Sequence, residues 1–134
     1  MTATINTINP PTLAPTTGYS QVVEVRAART IYIAGQVSVN SKGEVVGVGD
    51  FEAQAEQVFR NLEAALASAG CTARDLVKVT VYLRDMSHLL AYRAARVKFF
   101  GSVTPPAAPA VTLVEVSKLY AEEILLEIEA VAAG

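Results

Sequence analysis

Cysteine and histidine are nearly missing from this chain, and their scarcity removes whole classes of chemistry. Its 134 residues hold one Cys, Cys71, and one His, His88. A lone cysteine makes no disulfide within the chain and points to a reducing compartment. One histidine and one cysteine do not furnish a zinc set, and no Ser–His–Asp set or glycine-rich phosphate loop can be assembled. Positive charge is also short: 11 Lys and Arg stand against 13 Asp and Glu, a net charge of −2. Nowhere do basic residues gather into a stripe with interleaved aromatics, so no nucleic-acid partner is expected. No apolar run approaches the roughly 18 residues of a membrane helix. The first five residues carry neither the basic nor the apolar region of a secretion signal. A cytoplasmic protein with no membrane partner is the expectation.

What is abundant is apolar. The chain is 51% hydrophobic, with a mean hydropathy of +0.34. One domain spanning 1–134 has little interior in which to hide so much, which suggests burial against another subunit. Strand-like runs occupy residues 4–8, 21–25 and 30–34, the last two around a turn at 26–29. Asp50 reads as the N-cap of a helix in which Phe51, Ala55, Val58, Leu62, Ala65 and Ala69 recur at helical spacing, and Gly70 stops it. Residues 76–83 alternate as a strand. Asp85 or Ser87 caps a second helix over 87–100, whose stripe of Leu89, Tyr92 and Phe99 is interrupted by Arg93 and Arg96. A proline-rich link at 105–109 then leads into two final strands. The order β-β-β-α-β-α-β-β predicts a mixed sheet with two helices on one face, its other face covered by a neighbouring subunit.

Both final strands carry carboxylates among apolar residues. Glu127 has apolar neighbours on either side, so it either faces water at an edge or works in a cleft. An apolar cleft favours the protonated form of a carboxylate, which suits a group that must take and return a proton. Glu129, two residues on along the same face, reads as solvated or salt-bridged. His88 and Cys71 read as idle, His88 exposed beside a helix start and Cys71 without basic neighbours before Arg74.

Ile33-Ala34-Gly35-Gln36, Ser68-Ala69-Gly70, the run 75–83, Asp85, Phe99-Phe100, Pro109-Ala110, Val114-Glu115-Val116 and Glu127-Ile128-Glu129-Ala130 occur in an order covering nearly the whole chain. In these the sequence resembles the RidA family, also called YjgF or perchloric-acid-soluble proteins. The resemblance implies a chorismate-mutase-like α+β fold. It also implies a homotrimer with a barrel-like centre and clefts between subunits. Typical members hydrolyse reactive enamines and imines, such as 2-aminoacrylate and its imine, to the 2-keto acid and ammonia, with no metal or organic cofactor.

Carried over by position, the family's loop tyrosine is Tyr19, with two residues inserted between it and Gly35, and its glycine and acid are Gly35 and Glu127. Four positions depart from the pattern: Ala34 stands for a serine, Arg93 for an asparagine, Val111 for an arginine and Leu113 for a cysteine. The arginine would hold the substrate carboxylate through its planar fork, which valine cannot do. Val111 and Leu113 share a strand face and are expected to make the pocket apolar, and Arg93 is the candidate for a relocated charge. Three functions follow as expectations. The first is a RidA-like hydrolase of an amine-derived small molecule, with Glu127 handling water, Tyr19 orienting the substrate and Ala34, Gly35, Arg93, Val111 and Leu113 lining its site. The second is a trimeric small-molecule-binding protein without turnover, and the third, weakest one is an endoribonuclease or translation inhibitor.

Overall fold

The computed structural model describes residues 3–134; Met1 and Thr2, which open the segment read for a secretion signal, lie outside them. Strands β1 (Thr4–Ile8), β2 (Val22–Arg26) and β3 (Thr30–Gln36) precede helix α1 (Phe51–Ser68), strand β4 (Leu76–Leu83), helix α2 (Leu89–Phe100) and strands β5 (Ala110–Glu115) and β6 (Leu126–Ala133). The mixed α+β order is the one expected. Strand β6 lies between β3 and β4, antiparallel to both, and β5 joins β4 in parallel, giving the order β3-β6-β4-β5. A parallel pair cannot be closed by a tight turn, and α2 makes the crossover from β4 to β5.

The helices and the sheet share one apolar layer. Val58, Leu62 and Leu66 of α1 and Tyr92 and Phe99 of α2 join Val79, Val81 and Leu83 of β4 and Leu126, Ile128, Ala130 and Ala132 of β6. The strand members are alternate residues, as a sheet with one buried face requires. Between the helices, Phe59 stacks on Phe99 with ring centroids 4.9 Å apart. Helix α1 begins where expected, because the Asp50 side chain accepts from Ala53 N. It ends where Gly70, at φ +73°, takes the left-handed turn that other residues avoid. Cys71 follows and is buried; burial foremost, with Asp75 beside it, pushes its thiol up against the pull of Arg29.

The structure corrects three local expectations. Residues 26–29 do not close a hairpin between β2 and β3. Strand β2 pairs with β1, from Thr4↔Arg26 to Ile8↔Val22, as a separate two-stranded sheet. Strand β3 buries Ile33 in the core beside β6, a place that β2, with Glu24 and Arg26 among five residues, would fill poorly. Helix α2 starts at Leu89 and not at Ser87, since Asp85 accepts from Ser87 N and caps a single 3₁₀ turn, Met86–His88, first. His88 is not exposed there: its ring stacks on Phe51, centroids 4.4 Å apart. Among the described residues no helix is long and apolar enough to cross a membrane.

Buried Gln54 of α1 fixes the approach to β6. Its Nε2 donates to Gly47 O at 3.1 Å and Glu123 O at 2.7 Å, and its Oε1 accepts from Leu125 N at 3.0 Å. The loop 116–125 is thereby tied to the helix one residue before β6 starts. Gln54→Leu keeps the bulk but strands these three backbone groups, so a loss of about 2–4 kcal/mol in denaturant unfolding is expected. A loss near zero would mean that the loop finds other partners and that Gln54 does not set the strand.

Candidate functional site

The alternation that buries Leu126 and Ile128 turns Glu127 and Glu129 to the opposite face of the sheet, away from the helices. On that face Tyr82 stands across from Glu127 and Thr80 across from Glu129. The Tyr82 hydroxyl donates a short hydrogen bond to Glu129. That bond, above all, raises the phenol from its ordinary range. Glu129 is exposed, as expected, and in addition accepts from a cross-strand tyrosine.

Glu127 has a different seat. The β3–β6 register shifts between Ile33 and Gln36, which places Ala34 and Gly35 at an irregularity in the edge strand. A Cβ added to Gly35 would collide with the Glu127 carboxylate, whose Cδ lies 2.7 Å and Cγ 2.9 Å from that point. Gly35 does not have positive φ, so space and not torsion demands glycine here. Gly35 was expected to line the site, and in this chain the acid itself lies against it. Half-buried Glu127, exposed Ala34 and Gly35 form one group. Around them the face is open: Tyr32 is 81% exposed, and Val114 is exposed as well.

The other expected residues lie elsewhere. Val111 is paired with Val79 and Leu113 with Val81, both buried under the helices. Val111 and Leu113 therefore face α1 and α2 and pack against the core. They are on the opposite face from Glu127 and two strand spacings from it, roughly 10 Å. Within one chain they do not meet Glu127, because the parallel register with β4 turns them inward. Half-buried Tyr19 precedes Ser20, which is tied to the start of β5: its N donates to Pro109 O at 3.0 Å and its Oγ to Ala108 O at 2.6 Å. Arg93 points from α2 as an exposed residue and joins neither group.

Two residues outside the expected set stand out. Tyr82 is the cross-strand partner of the acids, legible from the alternation of β4 once its pairing with β6 is known. Arg96 is buried. It lies four residues after Tyr92 and three before Phe99, which places it on the apolar stripe that it was taken to interrupt.

Comparison with known proteins agrees with the fold. The profile of the family described as endoribonuclease L-PSP matches residues 9–134. A RutC family protein of Pyrococcus horikoshii is 40% identical over 115 residues, 85% of each chain. The crystal structure of YyfB from Yersinia pestis, described as a conserved Rid family protein of unknown function, superposes with a TM-score of 0.89 at 36% identity, covering 97% of this chain and 98% of that one. A protein of Dermatophagoides farinae named 2-iminobutanoate/2-iminopropanoate deaminase is 31% identical over 87 residues, 65% of this chain and 66% of its own length.

The close seating of the acid has a direct consequence. Gly35→Ala is expected to preserve the fold, since only a flexible carboxylate must move, at about 0.5–1.5 kcal/mol. It is also expected to turn Glu127 off the strand and shift its carboxyl-carbon NMR signal. An unmoved signal would mean that Glu127 does not lie on Gly35.

Proposed function

Because this chain belongs to the endoribonuclease L-PSP family, with its RutC and Rid relatives, we propose that it is a cofactor-independent hydrolase of a reactive imine, enamine or related amine-derived metabolite. The observation that carries this reading is the seat of Glu127: a half-buried carboxylate lying against a glycine, on the sheet face turned away from the helices. The name of the mite relative supports the reaction class.

In this reading the face is covered by neighbouring copies in a homotrimer, and the clefts lie between them. Such an arrangement brings the β5 edge of one copy, with Tyr19, to the Glu127 face of the next, the two groups that a single chain keeps apart. Water adds to the carbon of the protonated imine while Glu127 takes one water proton, giving a neutral carbinolamine. Glu127 then returns that proton to nitrogen, and as the C–N bond breaks it takes the proton of the carbinolamine hydroxyl, so that a carbonyl compound and ammonia are released. Tyr19 donates a hydrogen bond that orients the substrate, and backbone polar groups near Gly35 complete the contacts. Specificity differs from that of typical members, since Val111 offers no charge on β5 for a substrate carboxylate. A net charge of −2 makes an RNA-cleaving role the weakest alternative.

The test is to generate 2-aminoacrylate and a series of larger imines in situ and to follow carbonyl-product release. Acceleration is expected for at least one of them, lowered by about 10²–10⁴-fold in Glu127→Gln. Ligand binding without acceleration anywhere in the series would favour a trimeric binding protein over a hydrolase.

A further inference from the structure

On the side of the sheet opposite Glu127, helices α1 and α2 leave a groove of about 600 Å³ between them. The two helices run in the same direction, since Phe51 meets His88 where both begin and Phe59 meets Phe99 further along both. Phe59 and Phe99 form the floor and are themselves buried. One wall is α1, which turns Glu52, Glu56 and Glu63 to the groove; their spacings of four and seven put them on one stripe. Arg60 of the same wall is held by Glu56 at 2.7 Å, and among the described residues no cation pairs with Glu52 or Glu63. The other wall is α2, whose Ala91, Ala94 and Ala95 are too small to fill the space.

The crest of α2 beside this groove has the opposite character. Leu90 is 76% exposed and Val97 65%, and with exposed Ala94 they make one stripe at spacings of four and three. Exposed Arg93 and Lys98 flank the stripe on its two sides, and α2 carries no acidic residue. Among the described residues neither cation makes an ion pair. An apolar ridge edged with cations thus lies beside an apolar trough edged with carboxylates, on one surface of one chain. A contiguous apolar stripe rimmed by charge is the character of a contact surface. The homotrimer proposed above uses the other face of the sheet and leaves both ridge and trough bare.

We propose that the groove between α1 and α2 takes the α2 crest of a second copy of this chain. A two-fold axis along the helices lays each α2 in the groove of the other copy, so the contact is isologous and uses the same surface twice. In that arrangement Leu90 and Val97 meet the alanine wall, and the Arg93 flank faces the glutamates of the other copy's α1. Charge complementarity selects this occupant, because a crest with two cations and no anion fits a wall of three glutamates. Helix α2 has 12 residues and is about 18 Å long, so the contact is small and the association weak and reversible. It is independent of the hydrolase reading, and it gives a place to Arg93, which the outer face of the sheet does not use.

The test follows the weight-average mass of the full-length protein by sedimentation from about 1 μM to about 1 mM. A reversible rise above the mass of the dilute assembly is expected, and added salt weakens it. Arg93→Glu and the double variant Glu52→Lys/Glu63→Lys are each expected to weaken the association at least tenfold, since each sets like charges against one another. An equimolar mixture of the two is expected to restore it, because only the mixed pair sets carboxylate against cation at both contacts. Should the α1 variant not fold, Leu90→Asp decides: association equal to wild type overturns the proposal. A mass that stays constant to about 1 mM also overturns it and leaves the groove to a helix of a different protein. So does unchanged association in Arg93→Glu, or a mixture that associates no better than its components, since the ridge and the trough would then not be what meets.

Discussion

Strand β6 carries the molecule because it is paired on both sides. Its neighbours β3 and β4 hold it in one register, and its period of two sorts Leu126, Ile128, Ala130 and Ala132 under the helices and Glu127 and Glu129 out. A slip of one residue would drive both carboxylates into the apolar layer and expose four core side chains, so the register is strongly specified. Gln54 adds a local stop by holding Leu125 immediately before the strand. The position of the acid over Gly35 is thus a consequence of core packing as much as of any feature of the site.

The same sheet explains why the candidate residues fall into two groups. Glu127, Ala34 and Gly35 belong to the outer face near the β3 edge. Tyr19, Val111, Leu113 and the buried Arg96 belong to the β5 edge and its helix side. Each group is incomplete: one has the acid without the tyrosine, the other the tyrosine without an acid. The high apolar content of the chain and the uncovered Tyr32 and Val114 are in keeping with a face that meets another copy. The proposed function joins the two groups across that contact.

Much of this was legible in the residues. Helix α1, its cap at Asp50 and its stop at Gly70 followed from local signals, as did the alternation of β4 and β6 and the order of elements. What escaped depended on pairing between distant segments. Residues 26–29 look like a hairpin turn, and only competition for the β6 edge assigns β3 there and leaves β2 to β1. The inward orientation of Val111 is set by its register with Val79, which no local pattern encodes. Arg96 was misread because an arginine on an apolar stripe is ordinarily a solvated exception, and nothing in the sequence reveals that a glycine-bearing loop folds over it. Glu129 is solvated as expected, but its tyrosine partner, Tyr82, is 47 residues away and has no local sign.

Whether the acid and the β5 edge act together across copies is measured most directly by complementation. Glu127→Gln and Tyr19→Ala chains, each inactive alone, are unfolded together, refolded in equal amounts and assayed for imine hydrolysis. A site built from two copies of a ring predicts recovery of about a quarter of wild-type activity, the share of contacts that join an intact acid to an intact edge. Mixed oligomers that stay inactive would contradict the account and place both groups in the service of a single chain.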